Sequence, residues 1–146
     1  MGLRRIHVTA TTGAPAPAVF ALLTDSSTWP RWSPIESVEL EREGDPPPDG
    51  VGAIRRNRRG RVTGRDEIVE IADGRRFAYR SLSGLPVRDY YAVVELHRES
   101  GGTRIDWTSS FHPKWPGTGW VLERGLRRFL QECADGLAKE SASTSR

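Results

Sequence analysis

The spacing of apolar and polar positions changes period along this chain, and each change marks an element. Residues 4–12, RRIHVTATT, alternate with Ile6, Val8 and Ala10 on one side, which predicts a half-buried strand. In GAPAPAVFALLTD (13–25) the spacing becomes helical. Val19, Phe20, Leu22 and Leu23 form the stripe, and Pro17 suits a first helical turn, where its missing N–H costs no bond. Asp25, Ser26 and Ser27 end that helix and offer capping oxygens for a second, short one. The short helix carries Trp29 and Trp32, whose i, i+3 spacing puts both rings on one side, and Pro34 ends it. The period then returns to two. Residues 35–43, 51–59, 62–71, 75–82, 87–97 and 103–111 predict six further strands, separated by GDPPPDG (44–50) and by glycine-bearing turns. Residues 117–140 close the pattern. Leu122, Leu126, Phe129, Leu130, Cys133 and Leu137 recur at steps of three and four, as in a long amphipathic helix. Gly125 and Gly136 weaken it by about 1 kcal/mol each relative to alanine. SASTSR (141–146) reads as a flexible polar tail behind a single domain of residues 1–140.

One antiparallel sheet with an apolar face needs a cover, and the long helix supplies it, so the class is α+β. The strand parities say which groups face that helix. Ile105, Trp107, Ser109 and Phe111 share one face of their strand, and Phe77, Tyr79 and Ser81 share one of theirs. Strand 87–97 has a tyrosine on each side. Tyr90 goes with Ala92, Val94 and Leu96, Tyr91 with Val93 and Glu95, and the first set is the slightly favoured core face. The face of 51–59 stays open, because Ile54 shares a parity with Arg56 and Arg58. Inward tyrosines and tryptophans bring polar tips that need partners. Such groups either pack as core with every tip bonded internally or line a small-molecule pocket.

Composition narrows the class. At 36% hydrophobic and 28% charged residues, the sequence is that of a soluble globular domain, with no membrane span and no secretory h-region. The single cysteine, Cys133, falls on the helix's apolar spacing and reads as a core thiol in a reducing cytoplasm. Lysine occurs only at Lys114 and Lys139, an arginine skew expected of a GC-rich bacterial genome. The net charge of +3 is small, and RRNRRGR (55–61) reads as a solvated hairpin tip rather than a nucleic-acid surface. Candidate chemistry is thin. His7 and His97 read as surface residues and His112 as a turn residue, and no metal or cofactor motif occurs. Asp66, Glu67 and Asp89 are candidate acids. Facing an apolar cavity, a carboxylate acts as an acid or base with a raised pKa; paired with exterior arginines it does not.

Three stretches carry a family resemblance: APAPAVFALLTDSSTWPRWSP, GRVTGRDEIVEIADGRRFAYR and GGTRIDWTSSFHP. Over about residues 4–139 the chain resembles the START-like or SRPBCC superfamily, the polyketide cyclase/dehydrase and lipid-transport group with its Bet v 1-like helix-grip fold. The resemblance implies a curved seven-stranded antiparallel sheet wrapped around a long C-terminal helix, with two short helices after strand 1. It implies a cavity between sheet and helix that takes a small hydrophobic or aromatic ligand, lipid- or polyketide-like. Phe77, Tyr79, Trp107, Phe111, Trp120 and Phe129 are the expected walls, Trp32 the lip and Arg56 a charged handle. The alternative is a cyclase-, aromatase- or dehydratase-type enzyme using Tyr79 or Tyr91 with Glu67 or Asp89. The expected partner is a small hydrophobic molecule, with no nucleic acid, no membrane insertion and no cofactor, in a cytoplasmic monomer or homodimer.

Overall fold

The chain enters along one edge of a sheet, crosses to the opposite edge, and meanders back. In the computed structural model, which describes residues 2–144, β1 (Arg4–Thr12) lies at one edge. Two short helices, α1 (Ala16–Thr24) and α2 (Trp29–Trp32), carry the chain to the other edge. There follow β2 (Ser37–Arg42), β3 (Ile54–Arg59), β4 (Val62–Ala72), β5 (Arg76–Ser83), β6 (Val87–Glu99) and β7 (Gly102–Pro113). The order across the sheet is β1-β7-β6-β5-β4-β3-β2, with every neighbouring pair antiparallel. The last helix, α3 (Gly119–Thr144), covers the inner face, packing chiefly on β1 and less on β7, α1 and α2. This is the α+β helix-grip fold: a curved seven-stranded sheet around a long terminal helix.

Local chemistry explains the crossing. Pro17 lies in the first turn of α1, and Val19, Phe20, Leu22 and Leu23 are buried. The Asp25 carboxylate then accepts from the Ser27 N–H at 3.1 Å, capping the single 3-10 turn that leads into α2. The Thr28 hydroxyl donates back to the Leu22 carbonyl at 2.7 Å, and the Trp29 indole N–H to the Leu23 carbonyl at 3.0 Å. These bonds fix α2 against the end of α1, with both tryptophans in the core.

α3 is gripped unevenly. Leu130, Cys133, Ala134 and Leu137 are fully buried, whereas Leu122, Leu126 and Phe129 are only half-buried. At the tight end Gly136 passes α2 so closely that a Cβ there would lie 1.7 Å from the Trp32 carbonyl oxygen. The expected polar tail starts too early. The helix runs on to Thr144, and Ser141 is buried with its hydroxyl donating to the Leu137 carbonyl at 2.7 Å. Residues 145–146 lie outside the described residues.

Candidate functional site

The inner face of the sheet holds an ion pair. β3 turns Arg55 inward until it is 1% exposed. Its register with β4 sets Asp66 opposite. Arg55 donates from Nε and Nη2 to the two Asp66 oxygens at 2.7 and 3.1 Å, and Asn57 Nδ2 donates to Asp66 at 2.8 Å. The guanidinium also faces three rings, with centroids at 4.5 Å (Trp29), 5.3 Å (Tyr79) and 5.7 Å (Phe77). Burial alone would lower the Arg55 pKa. The charge and hydrogen bonds of Asp66 more than reverse that, so the pKa is raised and the cation persists.

Around the pair stands an aromatic wall. Trp29 stacks obliquely on Trp32 at 4.5 Å and meets Trp107 edge-on at 5.8 Å and Tyr79 edge-on at 6.3 Å. Tyr90 stacks on Phe111 at 6.4 Å. Burial pushes the hydroxyls of Tyr79 and Tyr90 well above the usual phenol range, so both remain neutral donors through the physiological pH range. Three buried polar atoms in the same face lack a hydrogen-bond partner among the described residues: Trp107 Nε1, Ser109 Oγ and Asn57 Oδ1. Tyr90 approaches Ser109 closely enough to feel it, yet the geometry at Ser109 Oγ falls short of a bond. An unmatched buried polar group costs about 1–3 kcal/mol, and three of them on one face of the sheet need an account.

The expected residues divide. Phe77, Tyr79, Trp107 and Phe111 are together on the inner face and buried. Phe129 faces the sheet from the loosely held half of α3, and the Arg59 guanidinium lies 5.1 Å from its ring. Trp32 is not a lip. It is 6% exposed, packed on Trp29 and Trp107, with its N–H donated to Thr28 Oγ1 at 3.0 Å. Arg56 is not the inward handle either. It lies on the outer face beside Glu39 and Glu41, and Arg55 occupies the inner position. Trp120 is 63% exposed. It precedes Leu122 by two residues, about 200° around the helix, and so leaves the apolar stripe.

The candidate acids divide similarly. Glu67 faces outward to Arg42 and Arg80, Asp89 is exposed at a bulge with φ of 54°, and only Asp66 points in. Tyr91 has the outward parity, and Tyr90 takes the inner place with Ala92, Val94 and Leu96. RRNRRGR is a solvated tip except for Arg55 and Asn57, which turn inward. His7 hydrogen-bonds Asp106 on the outer face at 3.4 Å, and His97 Nε2 lies 3.1 Å from the other carboxylate oxygen. Among the described residues no three His, Cys, Asp or Glu side chains converge as a metal site requires.

Arg55, Asp66 and Asn57 form the centre that the parity argument missed. One signal for it lay in the sequence. A two-residue turn at Gly60–Arg61 sets Arg59 against Val62, and counting back sets Arg55 against Asp66, an opposite-charge cross-strand pair.

Comparison with known proteins agrees with this architecture. The family model described as polyketide cyclase / dehydrase and lipid transport matches residues 4–142. The ZhuI aromatase/cyclase from Streptomyces sp. R1128 superposes with a TM-score of 0.84 at 21% identity, covering 99% of this chain and 97% of that one. A START superfamily protein from Mycobacterium smegmatis gives 0.82 at 13% identity, covering 98% and 99%. Ara h 8.0201 gives 0.78 at 16% identity, covering 97% and 99%. At these identities the likeness is one of fold. No curated protein matches the sequence.

Proposed function

This chain belongs to the polyketide cyclase / dehydrase and lipid transport family, and from that membership we propose that it binds a small, mainly apolar aromatic molecule bearing oxygen groups, between the sheet and α3. The observation that carries the reading is the trio of unpartnered polar atoms, Trp107 Nε1, Ser109 Oγ and Asn57 Oδ1, set among aromatic walls. An indole N–H can only donate, a carboxamide oxygen can only accept, and a hydroxyl does either. A ligand that answers all three carries at least one acceptor oxygen and one donor, on a skeleton that suits edge-on rings. Phe77, Tyr79, Tyr90 and Phe111 supply the wall, and the half-buried side of α3 at Leu122, Leu126 and Phe129 is the way in. An aromatase/cyclase of the same fold supports an aromatic or polyketide-like skeleton over a plain acyl chain. In this reading the protein works in the cytoplasm, without a cofactor, as a monomer or homodimer.

The two neutral hydroxyls favour a second reading, a cyclase-, aromatase- or dehydratase-type reaction in the same place. Tyr79 and Tyr90 can each lend a proton or a hydrogen bond to a carbonyl oxygen. Glu67, Asp89 and Tyr91 take no part, since they face outward or into solvent, and Asp66 is committed to Arg55.

The test is native mass spectrometry of freshly purified protein, followed by thermal shift across aromatic and lipid-like compounds. A bound or stabilising aromatic compound whose effect drops in Ser109→Ala and Trp107→Phe, both still folded, supports the reading. A clean mass with no shift from any compound overturns it. Tyr79→Phe separates the second reading, because loss of turnover with retained binding assigns chemistry to that hydroxyl.

A further inference from the structure

One end of the molecule carries nearly all of its exposed apolar bulk. That rim is continuous. Arg59 faces Val62 across the β3–β4 turn, Gly84 of the β5–β6 turn lies against Thr63, and the Lys114 N–H donates to the Pro86 carbonyl at 3.1 Å. A shallow groove of about 170 Å³ then joins Gly2 and Arg4 to Pro113, Gly119 and Trp120. Leu3, Val62, Trp115, Trp120 and Val121 stand out from it, with Trp115 54% and Trp120 63% exposed. Elsewhere among the described residues only Val51 is a comparably exposed large apolar side chain.

The charges of the rim are one-sided. Arg5, Arg61, Arg88, Lys114 and Arg124 are exposed there, and none forms an ion pair among the described residues. Lys114 Nζ lies 5.3 Å from the Trp115 ring centroid, and Arg124 follows Trp120 by one helical turn. Of the local carboxylates, Glu123 is held by Arg4 and Arg127, leaving Glu36 and Asp89 against five cations. The outer face of the sheet shows the opposite habit, with Arg42, Arg56, Arg65, Arg76 and Arg80 each paired to a glutamate.

We infer that this rim docks the protein on an anionic lipid surface. Indole rings favour the boundary between water and hydrocarbon, and arginine and lysine beside them meet anionic headgroups. The apolar groups come from three separate stretches of chain and project from a rim, and the groove beside them is shallow. That shape suits a laterally uniform surface better than a folded partner, which needs complementary relief. No helix of the described residues is long and apolar enough to cross a membrane, so the contact is peripheral. The inference goes beyond the interior reading and is independent of it.

Flotation tests it, with vesicles of phosphatidylcholine alone against phosphatidylcholine and phosphatidylglycerol at about three to one, at moderate salt. The full chain partitions onto the anionic vesicles with a blue shift of its indole emission. Trp115→Ala/Trp120→Ala and Lys114→Glu/Arg124→Glu each weaken partition about tenfold or more. Arg75→Glu/Arg98→Glu changes the net charge equally at the opposite end, where both arginines are exposed, and leaves partition unchanged. Circular dichroism confirms that each variant is folded. Absence of partition overturns the inference, as does equal loss in the Arg75/Arg98 variant. Capture by polyglutamate without vesicle binding also overturns it and assigns the rim to an acidic protein.

Discussion

Removing Arg55 tests whether the interior is organised by charge. In Arg55→Ala the Asp66 carboxylate, 7% exposed, keeps only Asn57 as a side-chain donor. Breaking a buried pair from one side costs about 3–5 kcal/mol, because the remaining charge is neither solvated nor matched. At about 2–4 °C per kcal/mol for a chain of this size, the variant melts about 6–20 °C below the parent. Arg55→Met/Asp66→Leu behaves differently. Replacing a buried pair by apolar groups is often neutral or stabilising by about 1–4 kcal/mol. Here it also strands the Asn57 amide, at about 1–3 kcal/mol, so the two effects largely offset and the double variant is more stable than Arg55→Ala. Urea denaturation of the parent, Arg55→Met, Asp66→Leu and the double variant closes the cycle, with Arg55→Ala measured beside it. A loss under about 1 kcal/mol for Arg55→Ala refutes the reasoning. So does a double variant as unstable as Arg55→Ala, because removing the stranded charge would then have recovered nothing.

Two further outcomes follow from particular contacts. Gly125 and Gly136 occupy the same helix, but a Cβ at Gly125 meets nothing within 4 Å while one at Gly136 strikes the Trp32 carbonyl. Gly125→Ala therefore stabilises by up to about 1 kcal/mol in thermal unfolding, and Gly136→Ala destabilises by about 1–3 kcal/mol; equal signs would refute the close approach. Burial pushes the Asp106 pKa up, but the hydrogen bond and charge of Arg104, with His7 and His97, outweigh it, and the net shift is downward. A depressed carboxylate stabilises the fold above its unfolded pKa of about 3.9 and loses that contribution as pH falls through the folded value. Asp106→Asn is thus less stable than the parent near neutrality in urea denaturation, the difference closes on acidification, and a constant difference across pH speaks against it.

The sequence carried the scaffold because periodicity is a local property. β7 alternates cleanly, and its inner set of Ile105, Trp107, Ser109 and Phe111 is buried as a unit. On β6 the tie between Tyr90 and Tyr91 was settled by aliphatic neighbours, since Ala92, Val94 and Leu96 share the Tyr90 parity. β3 defeated the same rule. Its one large aliphatic, Ile54, is half-buried, while the inward places go to Ala53, Arg55 and Asn57. An arginine turns inward only where a carboxylate and aromatic faces await it, and those come from β4, β5 and α2. Trp32 was misjudged for a related reason. The i, i+3 spacing puts both rings on one side, but the depth of Trp32 depends on the Thr28 hydroxyl that accepts its N–H and on Trp107 across the core. Trp120, expected in the wall, is exposed, and its angle on the helix already excluded it from the stripe.

The passage of Gly136 against Trp32 makes α3 a cantilever. The clamp is backbone against backbone, with no side chain to yield, and Leu130, Cys133 and Leu137 extend it along the buried half. From Gly136 back to Gly119 is about 25 Å at 1.5 Å per residue, so a tilt of about 5° at the clamp moves the far tip by about 2 Å. Displacement at the tip grows with distance from the clamp, while the contacts at the clamp scarcely change. Beside Phe129 and Leu126 that leverage is opposed by ties to β1: the Arg4–Glu123 ion pair at 3.2 Å and the bonds from Arg127 and Gln131 to the His7 and Thr9 carbonyls. The stiffness of the lever is therefore shared between a glycine at one end and a salt bridge near the other.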